Sequence, residues 1–387
     1  MGARTFSDLI TFTRASTGTY FDGAGVMQTA AVNQPRIDYD PATGEKLGLL
    51  VEEQRTNLLT YSADFDNVAW NKASATVTAN ATTAPDGTTT ADKFVPNSSS
   101  TGATCAQSIS VTTTTYSFSF FAKAAEESIV SLVSNLTGTY RANLFNTSSG
   151  VAVSGTDWSA SMTAVGNGWW LCTAIATANS VGLKAFQISN NSTGWIGDGT
   201  SGVYVWGAQL EAGAFPTSYI PTTTTSLTRS ADVASVTTLS PWYNAAEGTL
   251  YVQFLNGGDT VTQRFAAIND GTSSNSIEII SSGAGIGPYA FIQTGGSGQT
   301  PGPSPSVAIA ANTQYKAAIA YATDNVAGFR NGVQNVIDTT AVTIPTGLTK
   351  LQIGSQTSSV NWANAWIQRI TYYPRRLSQA EGEALTS

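Results

Sequence analysis

The chain of 387 residues contains no histidine, and only 11% of it is charged. Without histidine the commonest general base, the usual zinc ligand and any Ser-His-Asp relay are excluded. So little charge disfavours long exposed helices, which draw on Glu and Lys. The 18 Lys and Arg against 25 Asp and Glu leave a net charge of −7. No basic stripe is present to neutralise phosphates, so nucleic acid and anionic membrane surfaces are poor partners. Two cysteines, Cys105 and Cys172, fit no metal-binding spacing. They read as two buried thiols or as one disulfide, and the sequence leaves that open. The first residues lack the apolar stretch of a signal peptide, and no run of about 18 apolar residues occurs to span a membrane. The expectation is a protein made in the cytoplasm that leaves a cell, if at all, by another route than ordinary secretion.

Hydrophobic residues make up 41% and aromatics 10%, enough for packed cores, with 36 glycines among abundant Ser, Thr and Asn. That mixture favours short strands and tight turns. Tyr116-Ser-Phe-Ser-Phe-Phe121, Gly202-Val-Tyr-Val-Trp206 and Thr249-Leu-Tyr-Val-Gln-Phe254 alternate as half-buried strands do. Asn331-Gly332, between Gly328-Phe-Arg330 and Val333-Gln-Asn-Val336, is the strongest hairpin signal. Helical periodicity is scarce and clearest at the end, Leu377–Leu385, with Ser378 as N-cap and Glu381 completing a capping box. The spacing predicts an all-β chain of two antiparallel units of sandwich or jelly-roll type. A turn-rich attachment module takes residues 1–58, a jelly roll 59–221, a linker 222–243 and a second sandwich 244–387.

The second unit resembles the laminin-G/concanavalin-like fold. The resemblance is carried by the opening strand Gly248–Phe254, the hairpin Phe329–Gln334, the strand Leu351–Gly354 and the closing run Ala365–Glu381. The first half resembles phage virion proteins of tail-fibre or head-fibre type. That likeness rests on Phe12–Asp22, Gly48–Leu59, Gly168-Trp-Trp170, Trp206–Gly213, Pro216-Thr-Ser-Tyr-Ile-Pro221 and Thr228–Asp232. Strands between Asn57 and Ile220 are also similar to carbohydrate-binding modules. These resemblances imply a virion surface location, other virion structural proteins and a host cell-surface glycan as partners, and a homo-oligomer, a trimer first, as fibres and spikes commonly are. They transfer no named binding residue.

Candidate site residues are few. Glu52 and Glu53 are adjacent, so a strand points them to opposite faces and they form no acid/base pair. Asp38, Asp40 and Glu45 miss the EF-hand spacing and read as a turn around Pro41 and Gly44. Asp64, Asp66 and Asn67 resemble a structural calcium site, since jelly-roll sugar-binding modules hold such an ion near their first strand. Sugars stack their C–H faces on aromatic rings and need polar neighbours for their hydroxyls. Trp195, with Asn191 and Asp198, has the best surroundings for a glycan, and Trp158 and Trp362 also sit among small polar residues. No catalytic residue is assigned, and no cofactor other than calcium. The reading is a non-enzymatic virion protein that displays lectin-like domains for attachment to glycan. The rivals are a virion polysaccharide depolymerase and a purely architectural spacer.

Overall fold

A computed structural model describes residues 6–98, 102–190, 193–258, 262–282, 286–357 and 361–387. It is nearly all strand, as the Thr, Val, Ser and aromatic content dictates. Among the described residues, two six-stranded antiparallel sheets form the first sandwich. One runs in the order Val151–Val153, Arg141–Asn146, Ile129–Ser134, Gly182–Ser189, Thr104–Val111, Asn71–Ala73. The other runs Ser159–Ala164, Trp169–Thr177, Thr115–Ala124, Val203–Ala212, Ala91–Pro96, Ala75–Thr82. Phe94, Phe118, Phe120, Phe145 and Phe186 fill the space between them. Phe186 meets Phe118 edge-on at 5.6 Å and Phe145 meets Phe120 edge-on at 5.8 Å, the geometry that ring quadrupoles favour. Cys105 and Cys172 lie in this core as separate thiols. Burial pushes the Cys105 thiol up to about 12, which makes it unreactive.

The second sandwich has two seven-stranded sheets among the described residues. Its first sheet runs Thr11–Thr13, Val233–Val236, Lys350–Ile353, Arg264–Asn269, Ser276–Ile280, Tyr289–Thr294, Ser297–Gly298. Its second runs Val333–Asp338, Asn325–Arg330, Thr313–Ala322, Glu247–Asn256, Ala365–Tyr373, Lys46–Val51, Ile37–Tyr39. Phe254 stacks on Phe265 between them at 3.7 Å.

This topology corrects the expected organisation. Residues 1–58 are not a separate attachment module, because Thr11–Thr13 and Lys46–Val51 each supply a strand to a sheet of the second sandwich. Residues 222–243 are not a linker either. Val233–Val236 lies inside a sheet, and Leu227–Arg229 pairs with Arg55–Asn57. The apolar side chains near the start explain this. Phe12 and Leu49 are buried in the second core, with Ile10 packed against it, so the hydrophobic burial they need is met within the chain. The first sandwich is thus inserted into the second.

Two local expectations hold. Asn331 and Gly332 have φ of 46° and 78°, so both turn residues are left-handed, as a type I′ hairpin requires. The helix Gln379–Thr386 starts at Ser378 with the full capping box to Glu381. It lies on the outer face of the second sandwich, over Phe329, where a side chain at Gly382 would collide with the ring.

The first sandwich's second sheet is covered on its outer face as well. Phe121, Trp169 and Trp206 project there and pack with Met27 and Tyr219. That contact holds the hairpin Gly18–Phe21/Met27–Ala30 and the chain around Tyr219 against the sheet. Thr115–Ala124 is accordingly buried along most of its length, whereas the edge strand Ser159–Ala164 alternates exposed with half-buried residues.

Candidate functional site

The tryptophans singled out in the sequence do not converge. Trp158 is only 7% exposed and belongs to the first core, and Trp362 packs on the second core while its indole N–H donates to the Asp232 carbonyl at 2.9 Å. Trp158 is thereby corrected from a ligand contact to a packing residue, while Trp362 stays half-buried against its core. Each sits among small polar residues because strand ends do, and the ring turns inward for the apolar area it buries. Trp195 is half-buried against the first core. Asp198 in the same loop is exposed and accepts from the amides of Thr200 and Ser201 and from the Ser201 hydroxyl. Those donors hold its carboxyl well below the usual range, the mark of a turn residue. Asn191 lies outside the described residues.

A concavity lies elsewhere. A cleft of about 820 Å³ opens between the two sandwiches, against the free part of that outer sheet face. Its floor is set by strand register. Ser161 lies opposite Thr173, Thr173 opposite Ser119, and Ser119 opposite Gln209, so four polar side chains form one row across four strands. At about 4.8 Å per strand the row extends roughly 14 Å. The hydroxyls of Ser161, Thr173 and Ser119 have no hydrogen-bond partner among the described residues, and Thr163, one step along its strand, has none either. Gln209 is spent differently. It donates to the Thr217 carbonyl and accepts from the Ile220 amide, which holds residues 214–219 as one wall. Tyr20, Phe21, Tyr39, Phe215 and Trp366 give the cleft its aromatic surface.

Three carboxylates reach this cleft: Asp38, Asp40 and Glu52. Asp38 accepts from the Phe21 amide at 2.7 Å and from the Trp366 indole at 2.7 Å. Burial pushes its pKa up to about 6 in spite of those donors. Glu52 accepts from the amide and hydroxyl of Ser218 and pairs with Arg36 at 2.8 Å. Burial works against its charge, but Arg229, Arg36 and the Ser218 bonds outweigh it and hold the carboxyl at about 2. Such divergent values are the signature of an acid/base pair. Here each oxygen of Asp38 and of Glu52 already accepts from a protein donor, which ties both carboxylates to the cleft wall. Behind this wall Asp232 bridges Arg14, at 3.0 Å, and Arg36, and Arg229 stands 3.5 Å from Glu52. All of these side chains are less than 10% exposed.

A second polar cluster lies in the loop before the strand Asn71–Ala73. Carboxylate oxygens of Asp64, Asp66 and Asp92 fall within 4.8 Å of one another. Asp92 is fixed by the amides of Phe65 and Asn80, and burial, with the nearby Asp66 and Asp64 charges adding to it, pushes its pKa up to about 6. Oxygen-only ligands crowded in this way suit a hard cation such as calcium. Asn67 stands beside this cluster, its side chain donating to Asp64 and accepting from the Ala69 amide, and Asp92 joins Asp64 and Asp66. Sequence reading missed Asp92 because it comes from a different strand.

No family model matches the chain, and no curated protein sequence does. Among solved structures it is similar to the CBM40 of Ruminococcus gnavus IT-sialidase, with 17% identity over 37% of this chain and 84% of that one at a TM-score of 0.32. Domain 4 of AbnA, a GH43 extracellular arabinanase from Geobacillus stearothermophilus solved with arabinotriose, shares 12% identity over 46% and 84% at 0.31. Mouse laminin alpha1 chain domains LG4-5 share 9% over 73% and 90% at 0.26. Similarity of this degree says nothing about ligands. Among the described residues no helix is long and apolar enough to cross a membrane.

Proposed function

We propose that this protein binds saccharide in the cleft between its sandwiches, without catalysis, as a surface protein of a bacteriophage particle that attaches to host glycan. The observation that carries the binding reading is the row Ser161, Thr173, Ser119, whose hydroxyls lack protein partners among the described residues and face aromatic walls. Saccharides need that pairing, hydroxyls for their polar edges and rings for their C–H faces. The saturation of Asp38 and Glu52 supports a non-enzyme. The virion setting is supported by the fibre-protein likeness of the segments from Phe12 to Asp232, and a trimer fits such a setting. Asp64, Asp66 and Asp92 would hold a structural calcium ion.

Single-site affinity is expected in the millimolar to micromolar range, with avidity on a particle adding roughly 10²–10⁴. The test is titration calorimetry of the full chain against host-surface oligosaccharides, alongside Ser161→Tyr, which fills the cleft from an exposed strand position. Binding by the wild type and its loss in the variant are expected. No binding by the wild type would leave the spacer reading, and release of reducing sugar would restore the depolymerase. Labelled electron microscopy of particles tests the location, and sedimentation tests the trimer.

A further inference from the structure

We infer that the cleft selects neutral saccharides and turns away those bearing carboxylates. This rests on the cleft being the saccharide site and adds the chemical class of its ligand. The lining holds three acidic residues, Asp38, Asp40 and Glu52, and among the described residues no lysine or arginine. Sites that take sugar acids need a guanidinium or ammonium to replace the water around the acid, and a forked guanidinium is the best match.

The nearest guanidiniums are committed. Arg36 and Arg14 meet at Asp232, Arg36 and Arg229 also face Glu52, and Arg55 lies over the Phe215 ring at 4.8 Å with Glu53 as its ion partner. Arg14, Arg36 and Arg229 are thus taken up by Asp232 and Glu52, Asp38 accepts from the Phe21 amide and the Trp366 indole, and Asp40 forms no ion pair among the described residues. Asp40 is half-buried in the lining, and one of its oxygens caps the turn amides of Ala42 and Thr43. An anionic sugar in the cleft would lie against that carboxylate with no cation to offset it. The free groups along the floor are hydroxyls, which serve a neutral sugar as donor or acceptor alike.

The experiment uses the full chain and matched pairs of probes, each a neutral oligosaccharide and the same oligosaccharide oxidised at C6 to the uronic acid. The neutral member should bind about ten-fold or more tighter at low salt, as unscreened repulsion at contact range implies. Raising the salt should narrow the gap. Asp40→Asn, which keeps the capping oxygen, should narrow it several-fold by raising the affinity for the acidic member relative to its neutral partner. An acidic member that binds as tightly as its neutral partner, and is lost in Ser161→Tyr, overturns the selectivity while the cleft reading stands. Neutral binding that survives Ser161→Tyr, or no binding by any pair, overturns the cleft reading itself.

Discussion

Two polar groups of side chains stand on either side of one wall of the cleft, and they have opposite chemistry. Behind the wall, Arg14, Arg36, Arg229 and Asp232, with Glu52 reaching from them to the cleft, are strongly charged, buried and joined to one another. In front, Ser161, Thr173 and Ser119 are uncharged, open to the cleft and joined to nothing among the described residues. Charges taken out of water must be answered by protein, or the fold loses several kcal/mol. Ser119 and Thr173 are themselves only 4% and 5% exposed, but a hydroxyl carries no charge, so leaving it without a protein partner costs far less and it remains free for a ligand. The contrast separates groups that hold the molecule together from groups available for recognition, and mutation should reveal it as opposite patterns of loss.

Asp232→Ala should have the largest effect. It leaves Arg14 and Arg36 buried without their counter-ion, and about 3–5 kcal/mol of stability should disappear in urea unfolding. A loss under about 1 kcal/mol would mean that the cluster is not structural. Calcium comes next. At a hundred-fold excess over its dissociation constant it should stabilise the chain by about 2.7 kcal/mol, and Asp66→Asn should abolish the gain. A melting temperature indifferent to calcium would eliminate the metal site.

Asp38 should then impose a pH dependence of on the order of 1–3 kcal/mol. Its folded pKa of about 6 lies above the ordinary 3.8, so its stabilisation is full below pH 3.8 and is lost as pH rises through 6. Glu52 has the opposite sign: its stabilisation is present above pH 4.5 and is lost as pH falls through about 2. Comparing Asp38→Asn with the wild type from pH 3 to 8 isolates the first slope, and parallel curves would refute it. Gly332→Val should cost about 1 kcal/mol or more by forcing a branched residue to φ near 78°. Thr173→Val should be the smallest in stability, under about 0.5 kcal/mol, yet should weaken saccharide binding severalfold through one lost hydrogen bond. Equal loss of stability and binding would erase the contrast drawn above.

How much of this was legible in the sequence follows the range of each interaction. The Asn331-Gly332 turn and the Ser378–Glu381 box were readable, because each is closed within a few residues. Alternation along Thr115–Ala124 gave a strand, but not the second cover over Phe121, which comes from the distant Met27 and Tyr219. The cleft floor was hidden for the same reason. Ser161, Thr173, Ser119 and Gln209 become neighbours only through register, and nothing local marks an ordinary Ser or Thr as exposed to a cleft. Tryptophan was the visible signal, and it misled, since Trp158 and Trp362 spend their area on the cores.

The insertion of one sandwich into the other bears on how the chain comes off the ribosome. Lys46–Val51 cannot find its partner Ala365–Tyr373 until roughly 300 further residues exist, which at about 5–20 residues per second is on the order of 15–60 s. Over about the second half of that interval the inserted sandwich, complete at Ala212, has all its strands and can close, while the early segment waits with unpaired edges. A fragment of residues 244–387 would lack the strands that waited, Thr11–Thr13, Val233–Val236 and Lys46–Val51 among them, and should aggregate when made alone. Supplying residues 1–57 in trans should rescue it only in part, because Val233–Val236, which joins Thr11–Thr13 to Lys350–Ile353, is still missing and two separate chains incur an association entropy that the tether through the first sandwich removes.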